Sequence, residues 1–214
     1  MGVKVDLRVL ELLSSRLCHD LISPIGAVSN GLELLEDEAS GMANDALELS
    51  IKSARRASNI LQAIRVAVGA AGNQASIRLA DVRNLANGVL EAGKIRLDWP
   101  TDHDGLSLPV GMPKLILNLV MLAGECLPRG GVISVSLAAV GARVESRVTA
   151  AGEGGRLPPE FRAALSPDAA VSELTPKTVQ AYFAARVAEA LGGTLELPAA
   201  TTDTVVFAVS LPAA

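Results

Sequence analysis

His19 is one of only two histidines in the chain, and Asp20 follows it directly. A neutral imidazole, with an ordinary pKa of about 6.5, is nucleophilic near neutral pH. A carboxylate beside it can orient the ring or take up a proton. Ser15, Ser23, Gly26 and Asn30 fall on much the same side of a helix as His19. They give it a small, polar surround that a second protein can approach closely. Pro24 sits where the helical pattern continues, at a cost of about 3 kcal/mol in a helix interior, and it normally bends the helix. From exposure alone His19 also reads as an ordinary solvated histidine. The other histidine, His103, lies between Asp102 and Asp104 and ahead of Gly105, which reads as a solvated loop.

Two long helical patterns must position His19. Leu10, Leu13, Leu17, Leu21, Val28, Leu32 and Leu35 recur at spacings that form one narrow stripe. His19 lies about 200° around the helix from Leu17, away from that stripe. Asp6 is the expected N-cap, and Gly41 and Asn44 mark a turn. Leu47, Ile51, Ala54, Leu61, Ile64 and Val68 make a second stripe, ended by Gly69, Gly72 and Asn73. The short connection makes an antiparallel hairpin, which cannot bury both stripes alone. A homodimer that pairs two hairpins into a four-helix bundle would bury them.

The remainder changes character. Strand patterns fall at 95–99, 132–138, 143–149, 194–197 and 204–211, with helical patterns at 79–92, 112–127, 159–165 and 176–191. The fold class expected is α+β: a helical hairpin over residues 1–74, then an α/β sandwich over 75–214 with helices on one sheet face.

Composition narrows the function classes. The chain has 214 residues, half of them apolar, yet only one Trp, one Tyr and three Phe, so its core must be aliphatic. The net charge of −4, with no basic run and few aromatics to stack on bases, argues against nucleic acid. Cys18 and Cys126 are far apart and read as reduced thiols. Lys4, Asp6, Arg8 and Glu11 break any signal-peptide stretch, and the apolar run 115–127 is interrupted by Asn118 and Glu125 and too short for a bilayer. The expectation is a cytoplasmic protein with no membrane partner.

The run His19-Asp20-Leu21-Ile22-Ser23-Pro24 resembles the phospho-acceptor box of sensor histidine kinases: histidine, an acidic neighbour, a small polar residue four later and proline five later. The longer run from Arg16 to Pro24, continuing through 30–36 (Asn-Gly-Leu-Glu-Leu-Leu-Glu), looks more specifically like the ChpT-type histidine phosphotransferases of alphaproteobacteria. That resemblance implies a kinase-like dimerisation hairpin followed by a degenerate histidine-kinase ATPase-like domain. It implies His19 and Asp20 as the catalytic pair, forming a labile phosphoramidate, and Arg16, Ser23, Ala27, Asn30 and Arg56 as contacts for a receiver domain. Lys52, Arg56 and Asn59 on the second helix read equally as a solvated face. The implied partners are a receiver of a hybrid histidine kinase upstream and response regulators of the cell cycle downstream. Mg²⁺ is expected only on the receiver, and this chain is expected to need no cofactor or metal.

The C-terminal part resembles a kinase ATP-binding domain at 118–120 (Asn-Leu-Val), 130–135 (Gly-Gly-Val-Ile-Ser-Val) and 190–197 (Ala-Leu-Gly-Gly-Thr-Leu-Glu-Leu). It departs from the pattern where ATP would be held. Leu122 stands where the Mg²⁺-ligating asparagine belongs, and cannot bind a hard cation. Ala150 stands where the adenine-recognising aspartate belongs. The lid segment at 175–180, Thr-Pro-Lys-Thr-Val-Gln, has no glycine to cradle phosphates. Gly152, Gly154 and Gly155 read as turn residues rather than a nucleotide loop. The leading expectation is therefore a phosphotransferase fed by receivers. An ATP-dependent histidine kinase and a non-catalytic dimeric receiver-binding adaptor are the alternatives.

Overall fold

The computed structural model describes residues 6–36, 42–69, 77–91, 94–198 and 201–213. Two long helices come first, α1 (Leu7–Glu36) and α2 (Ala43–Val68), packed side by side. Asp6 starts α1 as expected, its Oδ1 accepting from the Arg8 N–H at 2.9 Å. Asn44 does not mark a turn, because α2 has already begun at Ala43. Gly41, Gly72 and Asn73 lie outside the described residues.

The stripes do not form the seam within this hairpin. Leu10, Leu32, Leu47, Ile51 and Leu61 are each 46–51 % exposed. The buried positions are Val9, Pro24 and Gly31 on α1, with Ala46, Ser50, Ser53, Ala63, Val66 and Ala67 on α2. Helices that cross closely do so through small residues, while large side chains flank the crossing. Periodicity shows where a helix is apolar, not what covers that face.

Helix α3 (Leu79–Leu90) leads to strand β1 (Ile95–Asp98), then α4 (Met112–Glu125), β2 (Gly131–Val140) and β3 (Arg143–Ala151). Helices α5 (Pro159–Leu165) and α6 (Val179–Ala190) follow, then β4 (Leu195–Glu196) and β5 (Thr204–Pro212). The sheet order is β1-β2-β3-β5-β4, with β1 parallel to β2 and the other pairs antiparallel. Register lines up Val135, Val148 and Phe207 across the inner face, all buried. Ser136, Ala138, Glu145, Arg147 and Ser210 line the open outer face. The result is a two-layer sandwich, apolar toward the helices and polar toward solvent.

Helix α4 is apolar all round and nearly every residue from Met112 to Ala123 is buried. It serves the sheet on one side and α2 on the other. A helix end leaves its last carbonyls without partners, and α4 supplies two of them. The Asn118 amide, fully buried, donates to the Ala67 carbonyl at 2.8 Å, and Lys114 Nζ donates to the Gly69 carbonyl at 2.9 Å. Val9, Ala63, Val66 and Ala67 consequently share one core with α3, α4, α6 and the sheet.

His103 departs from expectation. It sits on a 3-10 turn (Asp102–Gly105) with its side chain only 13 % exposed. Its Nε2 accepts a long 3.5 Å bond from the Leu137 N–H. Strand β1 pairs with β2 only as far as Ser134, and the turn covers the next donor along that edge.

Two glycines on α1 give opposite expectations. A Cβ at Gly31 would lie 2.1 Å from Ser50 Oγ and 2.9 Å from the Ala46 carbonyl oxygen; one at Gly26 would meet nothing within 4 Å. Alanine gains about 1 kcal/mol of helix propensity at either site, whereas overpacking at Gly31 costs about 1–3 kcal/mol. Gly26→Ala should raise the melting temperature and Gly31→Ala should lower it, by a few degrees each. Thermal melts of both variants check this, and a Gly31→Ala protein melting at or above wild type would contradict the close contact.

Candidate functional site

α1 lifts His19 out of the molecule. Its side chain is 84 % exposed, and Nδ1 lies 3.2 Å from Asp20 Oδ1. Around it Ser15, Cys18, Ile22, Ser23 and Asn30 are exposed, and the space beside Gly26 is empty. The surround is therefore open and small, as expected. Ile22, 70 % exposed and one turn from His19, adds an apolar contact point that the polar reading of this face overlooked. Pro24 lies within the continuous helix and is buried. It has no N–H to offer the carbonyl of Asp20, four residues earlier.

Asp20 uses its two oxygens separately. Oδ1 faces His19, while Oδ2 accepts from Arg16 Nε at 2.8 Å, one turn back along the helix. Arg16 does not extend into solvent beside the histidine. Its side chain is 15 % exposed and turns into the junction with the sheet layer. There Nη2 donates to Glu125 Oε1 at the end of α4, and Nη1 donates to the Lys177 carbonyl at 3.3 Å. Burial works against the Arg16 charge, but the bonds and charges of Asp20 and Glu125 outweigh it and hold the guanidinium above its usual pKa. Beside Glu125, burial chiefly and the Glu125 charge secondarily push the Cys126 thiol up to about 12. Cys126 is an inert, protonated thiol at neutral pH.

The segment before α6 is shaped by this junction. Thr175 and Thr178 bond reciprocally, each N–H donating to the other's Oγ1, at 3.0 and 3.3 Å. Lys177 Nζ bonds Glu160 at 3.1 Å while its carbonyl serves Arg16. Eight residues before Arg16, Arg8 donates to the carbonyls of Val171, Ser172 and Leu174. The turn is thus fastened to α1 at two points.

The remaining candidates form a second group. Ser23 and Ala27 of α1 and Lys52 and Arg56 of α2 line one groove of about 620 Å³, which Gly88 of α3 and Glu91 also line. Asn59 also lines it, its amide donating to the Gly88 carbonyl at 3.1 Å. Asn30 is exposed farther along α1, outside that groove. Arg16, His19 and Asp20 thus make one bonded cluster, and Ser23, Ala27 and Arg56 make a neighbouring trough. Sequence reasoning missed Glu125, Lys177, Gly88 and Glu91, whose chain distance from His19 gives no local signal.

The positions where the resemblance to a kinase ATP-binding domain expects nucleotide contacts carry other side chains. Leu122 and Ala150 are buried in the core at 1 % and 0 % exposure and offer no oxygen or nitrogen side-chain ligand. Gly154, with φ of 72°, turns so that its N–H donates to Asp203 Oδ1 at 3.0 Å. Gly155 packs against the Asp203 carbonyl, which a Cβ would meet at 2.5 Å. These glycines make a tight turn, as expected. Among the described residues, no helix is long and apolar enough to cross a membrane.

Comparison with known proteins identifies the family. A family model described as the histidine phosphotransferase C-terminal domain matches residues 79–203. The protein phosphotransferase ChpT of Brucella abortus is 36 % identical over 209 residues, covering 96 % of this chain and 98 % of that one. A bacterial phosphotransferase of known structure superposes with a TM-score of 0.80 at 34 % identity, over 97 % of this chain and 98 % of the other. The catalytic domain of the histidine kinase ThkA is a more distant likeness, at 19 % identity over 64 % of this chain and a TM-score of 0.48. With His19 raised on its hairpin and a sandwich of matching family behind it, the chain belongs to the ChpT-like histidine phosphotransferases.

Proposed function

We propose that the chain carries a phosphoryl group on His19, taking it from the receiver of a hybrid histidine kinase and passing it to receiver aspartates of response regulators, without using ATP. The observation that carries this reading is the imidazole itself, 84 % exposed, with Nδ1 against Asp20 and Nε2 left for a partner. With a carboxylate accepting at Nδ1, the ring proton resides there and Nε2 keeps its lone pair. Nε2 attacks the phosphorus of the donor's aspartyl phosphate, a P–N bond forms, and the P–O bond breaks with its electron pair leaving on the donor carboxylate. Asp20 stabilises the positive charge that develops on the ring. The onward step is the reverse, with an acceptor carboxylate attacking the phosphoramidate. Mg²⁺ belongs to the receiver in this scheme.

Leu122, Ala150 and the bonded Thr175–Thr178 turn support ATP independence, because each replaces a group that would hold the nucleotide. The half-exposed Leu10, Leu32, Leu47, Ile51 and Leu61 support pairing with a second hairpin, since a homodimer would cover them. The groove holding Ser23, Ala27 and Arg56 is the docking candidate for the receiver. Cell-cycle regulators as acceptors, and a cytoplasmic setting, follow the resemblance to ChpT-type proteins.

Incubation with a phosphorylated receiver or with labelled ATP, for wild type and His19→Ala, tests the scheme. Label should arrive from the receiver alone and be lost in the variant. Label from ATP would make the chain a kinase, and receiver binding without label on either protein would make it an adaptor. Asp20→Ala should slow labelling by about 10²-fold, the scale of losing one preorganised group that stabilises developing charge. Sedimentation of the full chain should give a dimer.

A further inference from the structure

We infer that Glu125, on the sheet layer, is a positioning residue for His19, acting through Arg16 and Asp20. The inference rests on the reading of His19 as the phosphate acceptor, but its central measurement does not require transfer.

Each guanidinium nitrogen of Arg16 has a different acceptor: Nε on Asp20 Oδ2, Nη1 on the Lys177 carbonyl and Nη2 on Glu125 Oε1. The carboxylate of Asp20 is divided in the same manner, Oδ2 to Arg16 and Oδ1 to His19 Nδ1. Arginine most readily meets a carboxylate as a fork, with two parallel N–H donors on its two oxygens. Nε and Nη2 together form one such fork. If Nη2 were unoccupied, Arg16 would close on Asp20 with both, and Oδ1 would be drawn from His19. Glu125 prevents that closure by holding Nη2. It also competes for the Arg16 charge, so Asp20 remains a strong acceptor for the ring proton.

The arrangement is sheltered enough to matter. The side chains of Arg16, Asp20 and Glu125 are 15 %, 23 % and 35 % exposed, against 84 % for His19. An exposed pair would be worth little, but these charges are drawn partly out of water at the α1–α4 junction. Neutral histidine without an acceptor at Nδ1 favours the proton on Nε2 in water. Loss of Glu125 therefore moves the proton to the nitrogen that must attack, leaving the ring in place but less often in the reactive tautomer. A domain without the residues for ATP retains a role in the chemistry by this route.

The test uses full-length protein labelled with ¹⁵N-histidine. With two histidines in the chain, His103 is an internal reference, on a turn packed against β2 rather than at the site. In wild type at a pH where His19 is neutral, the proton should be found on Nδ1. In Glu125→Ala it should move largely to Nε2, with His103 unchanged. Glu125→Gln, which keeps an acceptor for Nη2, should lie between. Transfer from a phosphorylated receiver should fall about fivefold to tenfold in kcat for Glu125→Ala, less than a directly proton-accepting group would cost, with KM unchanged. An unchanged His19 tautomer in both variants overturns the inference, as does a rise in KM alone, which would make Glu125 a docking contact. Disturbed His103 signals in both variants would assign Glu125 to folding and also overturn it. His19→Ala run in parallel keeps the readings apart: phosphate still accepted by that variant would sink the carrier reading, while the tautomer comparison would still judge Glu125.

Discussion

The structure depends on the buried amide of Asn118 reaching the carbonyl of Ala67. The last turn of any helix exposes carbonyls that must find donors, and a buried helix end without them is costly. α4 brings Asn118 and Lys114 to the end of α2 and covers it with apolar surface. The hairpin is thereby joined to the sheet layer by a shared core rather than resting beside it. α1 meets the sheet layer beside this joint, through the bonds of Arg8 and Arg16 and the packing of Val9.

The joint lies within the part of the chain that resembles a kinase ATP-binding domain. Asn118 lies on the stretch of α4 that resembles the kinase asparagine box, and its side-chain amide donates to the backbone carbonyls of Ala67 and Lys114. Leu122, one turn later, packs into the core. The turn before α6, in place of a glycine-rich lid, is closed by its own threonines and held by two arginines of α1. These elements support the helix that bears His19.

Much of this was legible in the chain itself, where the information is local. The helix that carries His19, the other helices and all five strands follow from spacing within short windows, and the element ends differ by only a few residues. The inward seam of the hairpin was not legible. Leucine periodicity marks the apolar face, whereas the close crossing runs through Gly31, Ala46 and Ser50, whose small size carries no periodic signal. His103 looked solvated because its neighbours are charged, and only the unpaired edge of β2 gives it a place to dock. Glu125 looked like an interruption in an apolar run. Its partner lies 109 residues away, and no one-dimensional pattern connects them.

The clasp on α2 also has a consequence for timing. An enzyme that charged its own histidine would have to bring a nucleotide domain up to it and then swing it aside for the next partner. Here such a swing must first break the bonds to Ala67 and Gly69 and open a common core. A carrier of the kind proposed has no need of the excursion. Its cycle time is spent on arrivals and departures, on the diffusion and residence of visiting proteins rather than on motion within the chain. Throughput then follows the supply of charged visitors and their competition for one small landing place.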